Sequence, residues 1–195
     1  MKAITFEGKR KVAYSDAADP RVTEATDVIV RVRAAGICGS DLHPYHEREK
    51  MDQGTIMGHE FVGEVVEVGS RVESFTKGDV VFSPFTTNCG VCFYCQSGLT
   101  CRCDSGQFFG WVYDGVGLQG SQAEYVRAPL ADGTLMHVPE GVSFAAALLL
   151  GDILSTGFFC AEQAGVGLLD DNGLARAPAA PLLGASRTYA IVGCG

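Results

Sequence analysis

Through the first 140 residues, apolar and polar positions alternate in short runs broken by Gly and Pro, the period of two that marks half-buried strands. In VIVRVRAAG (28–36), Val28, Val30 and Val32 fall on one face and Arg31 and Arg33 on the other. EFVGEVVEVGSRV (60–72) and DVVFSP (79–84) are similar and are joined through the turn signal KGD at 77–79. SQAEYVRAP (121–129) supplies another strand. Many short strands with glycine punctuation predict a barrel or sandwich.

The character changes after HVPEGVS. Ser143 is placed to cap a helix that begins at Phe144 and runs to about Ala164. Its apolar run, FAAALLLGDILSTGFFCA (144–161), approaches membrane-span length but carries Asp152 at its middle, so it reads as a buried core helix. GVGLLDDNGLARAPAAPLLGASRT (165–188), rich in Ala, Gly and Pro, reads as an irregular linker. The closing YAIVGCG looks like a buried strand running into a Gly-x-Gly turn. These readings divide the chain into 1–142, 143–165, 166–188 and 189–195.

Composition narrows the partners. A chain 47% hydrophobic and 19% charged has the makings of a buried core. Net charge is −8 with scattered Lys and Arg, which argues against nucleic acid or an anionic membrane as partner. MKAITFEGKRK lacks the apolar stretch of a secretory signal. A cytoplasmic setting is therefore expected, and there clustered cysteines bind metal more readily than they form disulfides.

Such a cluster exists. CGVCFYCQSGLTCRC (89–103) holds five of the eight cysteines. Cys89, Cys92, Cys95 and Cys103 follow C-x2-C-x2-C-x7-C, whose short gaps let thiolates converge on one small ion. Four thiolates close a tetrahedral shell with no position for substrate, the pattern of a structural zinc. Cys101 competes for the fourth place by spacing; Cys103 is expected to fill it.

A second constellation carries different chemistry: Cys38, Ser40, Asp41 and His43 in GICGSDLHPY, His59 and Glu60 in MGHEFVGEV, and Asp152 and Thr156 in LLLGDILSTG. Singly, each has a structural explanation. Together with KGDVV, the cysteine lobe, VPEGVSFAAALLLGDILSTG and VGCG, in that order, they resemble the zinc-dependent medium-chain alcohol dehydrogenases. Asp152, where many members carry cysteine, makes the chain similar to the branch of glutathione-independent formaldehyde dehydrogenases.

That resemblance implies a mainly β, GroES-like barrel over 1–142, a helix leading to the cofactor domain over 143–165, and only the first strand of a Rossmann α/β domain over 189–195. It implies two zinc ions. Cys38, His59 and Asp152 would hold the catalytic one and leave its fourth position for water or substrate. Ser40 resembles the hydroxyl that takes the alcohol's proton, and His43 the histidine that relays it to solvent. Asp41 resembles the carboxylate that orients the ligand histidine, and Glu60 would sit beside the metal, either as an outer neighbour or as a transient ligand. Thr156 would face the nicotinamide of NAD or NADP. Gly193 and Gly195 would be the first glycines of the dinucleotide turn. A small alcohol or aldehyde is the implied substrate, and the site would pass its hydride to the cofactor. A homo-oligomer is compatible with the family. Because the remainder of the Rossmann fold is not in the sequence, a truncated dehydrogenase with impaired cofactor binding is the expectation; a non-catalytic zinc-binding module derived from such an enzyme is the alternative. His46 and His137 read as structural or solvent-facing. Phe108 and Trp111 read as well for cleft lining as for core.

Overall fold

A five-stranded antiparallel sheet organises the chain, in a computed structural model that describes Met1–Gln163. The strands are β1 (Lys2–Gly8), β2 (Lys11–Asp16), β3 (Val28–Ala35), β4 (Phe61–Val68), β5 (Val80–Phe82), β6 (Trp111–Tyr113), β7 (Val116–Leu118), β8 (Tyr125–Ala128) and β9 (Met136–His137). The main sheet runs β8-β3-β4-β5-β9, and β1–β2 and β6–β7 form two hairpins. Bridges Ala3–Ala123 and Thr5–Ile56 join the first hairpin to the segments beside the sheet. This strand-rich body matches the expected mainly β class.

The alternation read from the sequence places the core. Val28 and Val30 are fully buried and Val32 packs against the same cluster, together with Phe61, Val65, Val81 and Val126. Arg31 and Arg33, on the other face, both reach the Glu64 carboxylate, at 2.9 and 2.7 Å. Each fully buried apolar side chain contributes about 1.5–3 kcal/mol relative to exposure. β4 stops at Val68, short of the expected 72, because Gly69 turns the chain and donates to the Asp27 carbonyl at 2.8 Å. The KGD turn forms as expected: Gly78 has φ +98°, and Thr76 N–H donates to the Asp79 carboxylate at 2.7 Å.

Short helices decorate this frame: α1 (Leu42–Tyr45), α2 (Phe93–Gln96), α3 (Ala131–Thr134), α4 (Phe144–Leu150) and α5 (Ile153–Gln163). Ser143 caps α4, its Oγ accepting from Ala146 N at 3.2 Å. The single helix expected from Phe144 is instead two. The chain presses against the residue just past β5 at Gly151, where an added Cβ would collide with the Ser83 carbonyl oxygen. There the ladder tightens to an i→i−3 bond, Gly151 N to Leu148 O. Ala147 of α4 is buried with Val62 and Phe82 of the sheet. The buried core helix expected over 144–161 is not what forms: α5 has no buried residue, and Ile153, Leu154, Phe158 and Phe159 are exposed. Over 144–161 the buried residues are Ala147 of α4, packed with Val62 and Phe82, and Gly151 just after it.

One compact unit covers Met1–Leu154, and a second begins at Ser155. Thr156 lies exposed in the second. The expected linker and the closing strand, with Gly193 and Gly195, lie outside the described residues.

Candidate metal centres

Two groups of ligand-type side chains converge among the described residues. The first lies in the lobe after β5. Cys89, Cys92, Cys95 and Cys103 bring their sulfurs within 4.8 Å of one another. A tetrahedral zinc about 2.3 Å from each thiolate needs sulfurs roughly 3.8 Å apart, so the set fits. Backbone amides already point at it: Cys89 N–H donates to Cys103 Sγ at 3.2 Å and Cys92 N–H to Cys89 Sγ at 3.3 Å. The N–H groups of Cys95 and Asp104 pull the Cys92 thiol down from its ordinary pKa, whereas burial pushes Cys95 up. Cys101 is exposed and stands outside the group. Thr134 of α3 ties the lobe to the sheet, its Oγ1 accepting from Asn88 N at 2.9 Å and lying 3.0 Å from Pro129 O.

The second group is assembled from three distant segments. Cys38 precedes a 3-10 turn at Gly39–Asp41, His59 and Glu60 lead into β4, and Asp152 follows α4. One ligand atom from each of Cys38, His59, Glu60 and Asp152 lies within 4.8 Å of the others. His59 Nε2 faces Asp152 Oδ2 at 3.6 Å, and its Nδ1 faces Asp41 Oδ1 at 3.6 Å. Ser40 Oγ lies 3.2 Å from Cys38 Sγ and 3.4 Å from His59 Nε2. Asp41 is 8% exposed, and its Oδ2 accepts from Cys38 N at 2.9 Å.

The electrostatics show what this pocket asks for. Burial works against a proton on His59, yet Asp152, Cys38 and Asp41 together push its pKa up to about 9. Burial raises Glu60, and the charges on Asp152 and Asp41 add to it. Both shifts report a pocket with more anionic ligands than cations. Sulfur, imidazole and carboxylate converging in such a field suit a divalent zinc ion.

His43 is half-exposed, 3.2 Å from Glu49 through Nδ1, and shares no hydrogen bond with Ser40. His46 stacks edge-on against Tyr45, and His137 Nε2 lies 3.2 Å from the Ser74 carbonyl. Phe108 is exposed and stacks on Phe85; the neighbouring Phe109 enters the core against Phe61. One side chain that spacing did not single out also reaches the second group: Gln122 Nε2 donates to Asp41 Oδ2 at 3.3 Å.

Residues 24–140 match the alcohol dehydrogenase GroES-like domain. The zinc-type alcohol dehydrogenase B of Aspergillus flavus is 43% identical over 195 residues, covering 100% of this chain and 42% of that protein. A glutathione-independent formaldehyde dehydrogenase of Bacillus subtilis is 36% identical over 218 residues, covering 95% and 53%. Among solved structures, an alcohol dehydrogenase from Thermus sp. ATN1 superposes with a TM-score of 0.82 at 39% identity, covering 87% of this chain and 49% of that one. The chain thus spans about half the length of the relatives it matches.

Proposed function

This chain belongs to the alcohol dehydrogenase GroES-like domain family, and from that premise we propose that it forms the metal- and substrate-binding part of a zinc-dependent dehydrogenase acting on small alcohols or aldehydes with NAD or NADP. The observation that carries the reading is the convergence of Cys38, His59 and Asp152 within 4.8 Å, with the Ser40 hydroxyl beside them. Cys38, His59 and Asp152 hold the catalytic zinc, and Cys89, Cys92, Cys95 and Cys103 the structural one. When bound, zinc supplies a Lewis acid that lowers the pKa of a substrate hydroxyl.

The chain's own residues do the rest. Asp41 faces Nδ1 of His59 and so presents Nε2 to the ligand cluster. Ser40 Oγ stands among the ligands and takes the proton that the alcohol gives up. His43, half-exposed beside Glu49, exchanges that proton with solvent. Since Ser40 and His43 share no hydrogen bond, the proton crosses on an intervening hydroxyl or water. Glu60, 7% exposed, adds a carboxylate to the cluster.

Metal analysis of the purified chain tests this. Two zinc ions are expected per chain, matching the two ligand groups, and Cys38→Ser should hold one fewer. Equal zinc content in the two proteins would sink the assignment. Hydride transfer from a primary alcohol to NAD, followed by NADH absorbance, separates the enzyme from a zinc-binding module. Calorimetry with NAD on the same chain measures cofactor affinity.

A further inference from the structure

Gln122 lies just before β8, and its backbone is pinned on both sides. Its N–H donates to Met57 O at 2.8 Å, and its carbonyl accepts from Ile4 N at 2.8 Å. The side chain then reaches across two loops. Nε2 donates to the Gly36 carbonyl at 3.0 Å and to Asp41 Oδ2 at 3.3 Å, two residues of the segment that carries Cys38. Its aliphatic stem lies over Gly58, the residue before His59. A Cβ on Gly58 would come within 2.5 Å of Gln122 Cγ, and Gly58 holds φ +90°. One side chain therefore touches both the loop that presents Cys38 and the strand entrance that presents His59.

Asp41 is the point where this matters. Its Oδ2 accepts from both Cys38 N and Gln122 Nε2, which leaves Oδ1 facing His59 Nδ1. Without the Gln122 donor, Oδ2 keeps one of these two bonds, and the carboxylate is freer to rotate away from the imidazole. The Gly36 carbonyl would lose a partner at the same time.

We propose that Gln122 is a positioning residue for the metal centre: it ties the Cys38 loop to the Gly58–His59 segment and, by orienting Asp41, fixes the ring of the ligand histidine. This rests on the zinc reading above. An amide suits the role because it donates to two acceptors. A carboxylate of the same shape would confront Asp41 with a like charge, and an apolar isostere would offer neither bond.

The test is a zinc competition titration of the full chain against a chromophoric chelator, with wild type, Gln122→Met and Gln122→Glu. The four-cysteine zinc is the internal control for folding. Gln122→Met is expected to weaken one of the two zinc ions by roughly 10–100-fold, the usual effect of losing an outer hydrogen bond, and to leave the other unchanged. Gln122→Glu should weaken the same ion at least as much. The cobalt-substituted protein should show an altered absorption envelope for that site alone. If Gln122→Glu fails to fold, Gln122→Met decides. A lower melting temperature with both zinc affinities intact in Gln122→Met overturns the proposal and leaves a purely structural glutamine. A wild-type chain with no zinc sensitive to Cys38→Ser overturns the function reading as well, so the two failures are distinguishable.

Discussion

Asp27, fully buried ahead of β3, places its Oδ2 2.9 Å from the Arg127 guanidinium on the adjacent strand β8. The same oxygen accepts from Thr23 N, Thr23 Oγ1 and Glu24 N at 2.9–3.0 Å. Oδ1 is buried with no hydrogen-bond partner. Burial works to raise this carboxyl's pKa, but the N–H groups of Glu24 and Thr23 and the Arg127 charge outweigh it and hold the pKa below its ordinary value. A depressed carboxyl stabilises the fold fully above its unfolded pKa, about 3.9, and the contribution is lost as pH falls through the folded value. Asp27→Ala is expected to cost about 2–4 kcal/mol at pH 7, since it strands the N–H donors and removes the arginine's carboxylate, leaving it the Thr23 hydroxyl. Urea unfolding at pH 7 and under acid should show the gap between the two proteins narrowing in acid.

Cys101 and Cys103 separate the lobe's chemistry from its composition. Cys103→Ser should release one zinc and expose the 89–103 loop to protease. Cys101→Ser should keep both ions, because its sulfur is exposed and outside the cluster. Equal loss from both variants would mean that the fourth ligand is shared.

Gly151→Ala bears on the other centre. The added methyl would meet the Ser83 carbonyl, so the end of α4 must shift and carry Asp152 with it. Overpacking of this kind costs about 1–3 kcal/mol. Thermal melting should fall accordingly, and zinc loss should be selective for the ion that Cys38→Ser also removes.

The helix cap gives a simpler number. Ser143→Ala removes the acceptor for Ala146 N, and a lost N-cap costs about 1 kcal/mol. Chemical denaturation should register that loss with zinc content unchanged.

Much of this was legible from residue order. Alternation over 28–36 places Val28, Val30 and Val32 on the core side and Arg31 and Arg33 on the other; it does not show that Ile29, on the arginine face, is buried as well. The Ser143 cap and the KGD turn were readable because their chemistry is local. The break at Gly151 was not, since it involves the Ser83 carbonyl just past β5, which the sequence places 68 residues earlier. Spacing could not choose between Cys101 and Cys103; the fold brings the sulfur of the second, not the first, under the Cys89 amide. Gln122 gave no signal either. A polar residue at a strand entrance looks ordinary until the loops carrying Asp41 and Gly58 are folded around it.

The two ligand groups differ most in how much chain each must gather. Those of the lobe lie within residues 89–103, a loop whose closure needs little prior order. The others are drawn from residues 38, 59, 60 and 152, so they meet only after β3, β4 and β5 have paired and α4 has docked on them. On the proposed two-zinc reading, an ion at the first group can be captured by a nascent chain, whereas one at the second must wait for a nearly finished one. During refolding in the presence of zinc, uptake should occur in two phases, and removing Asp152 should erase the slower.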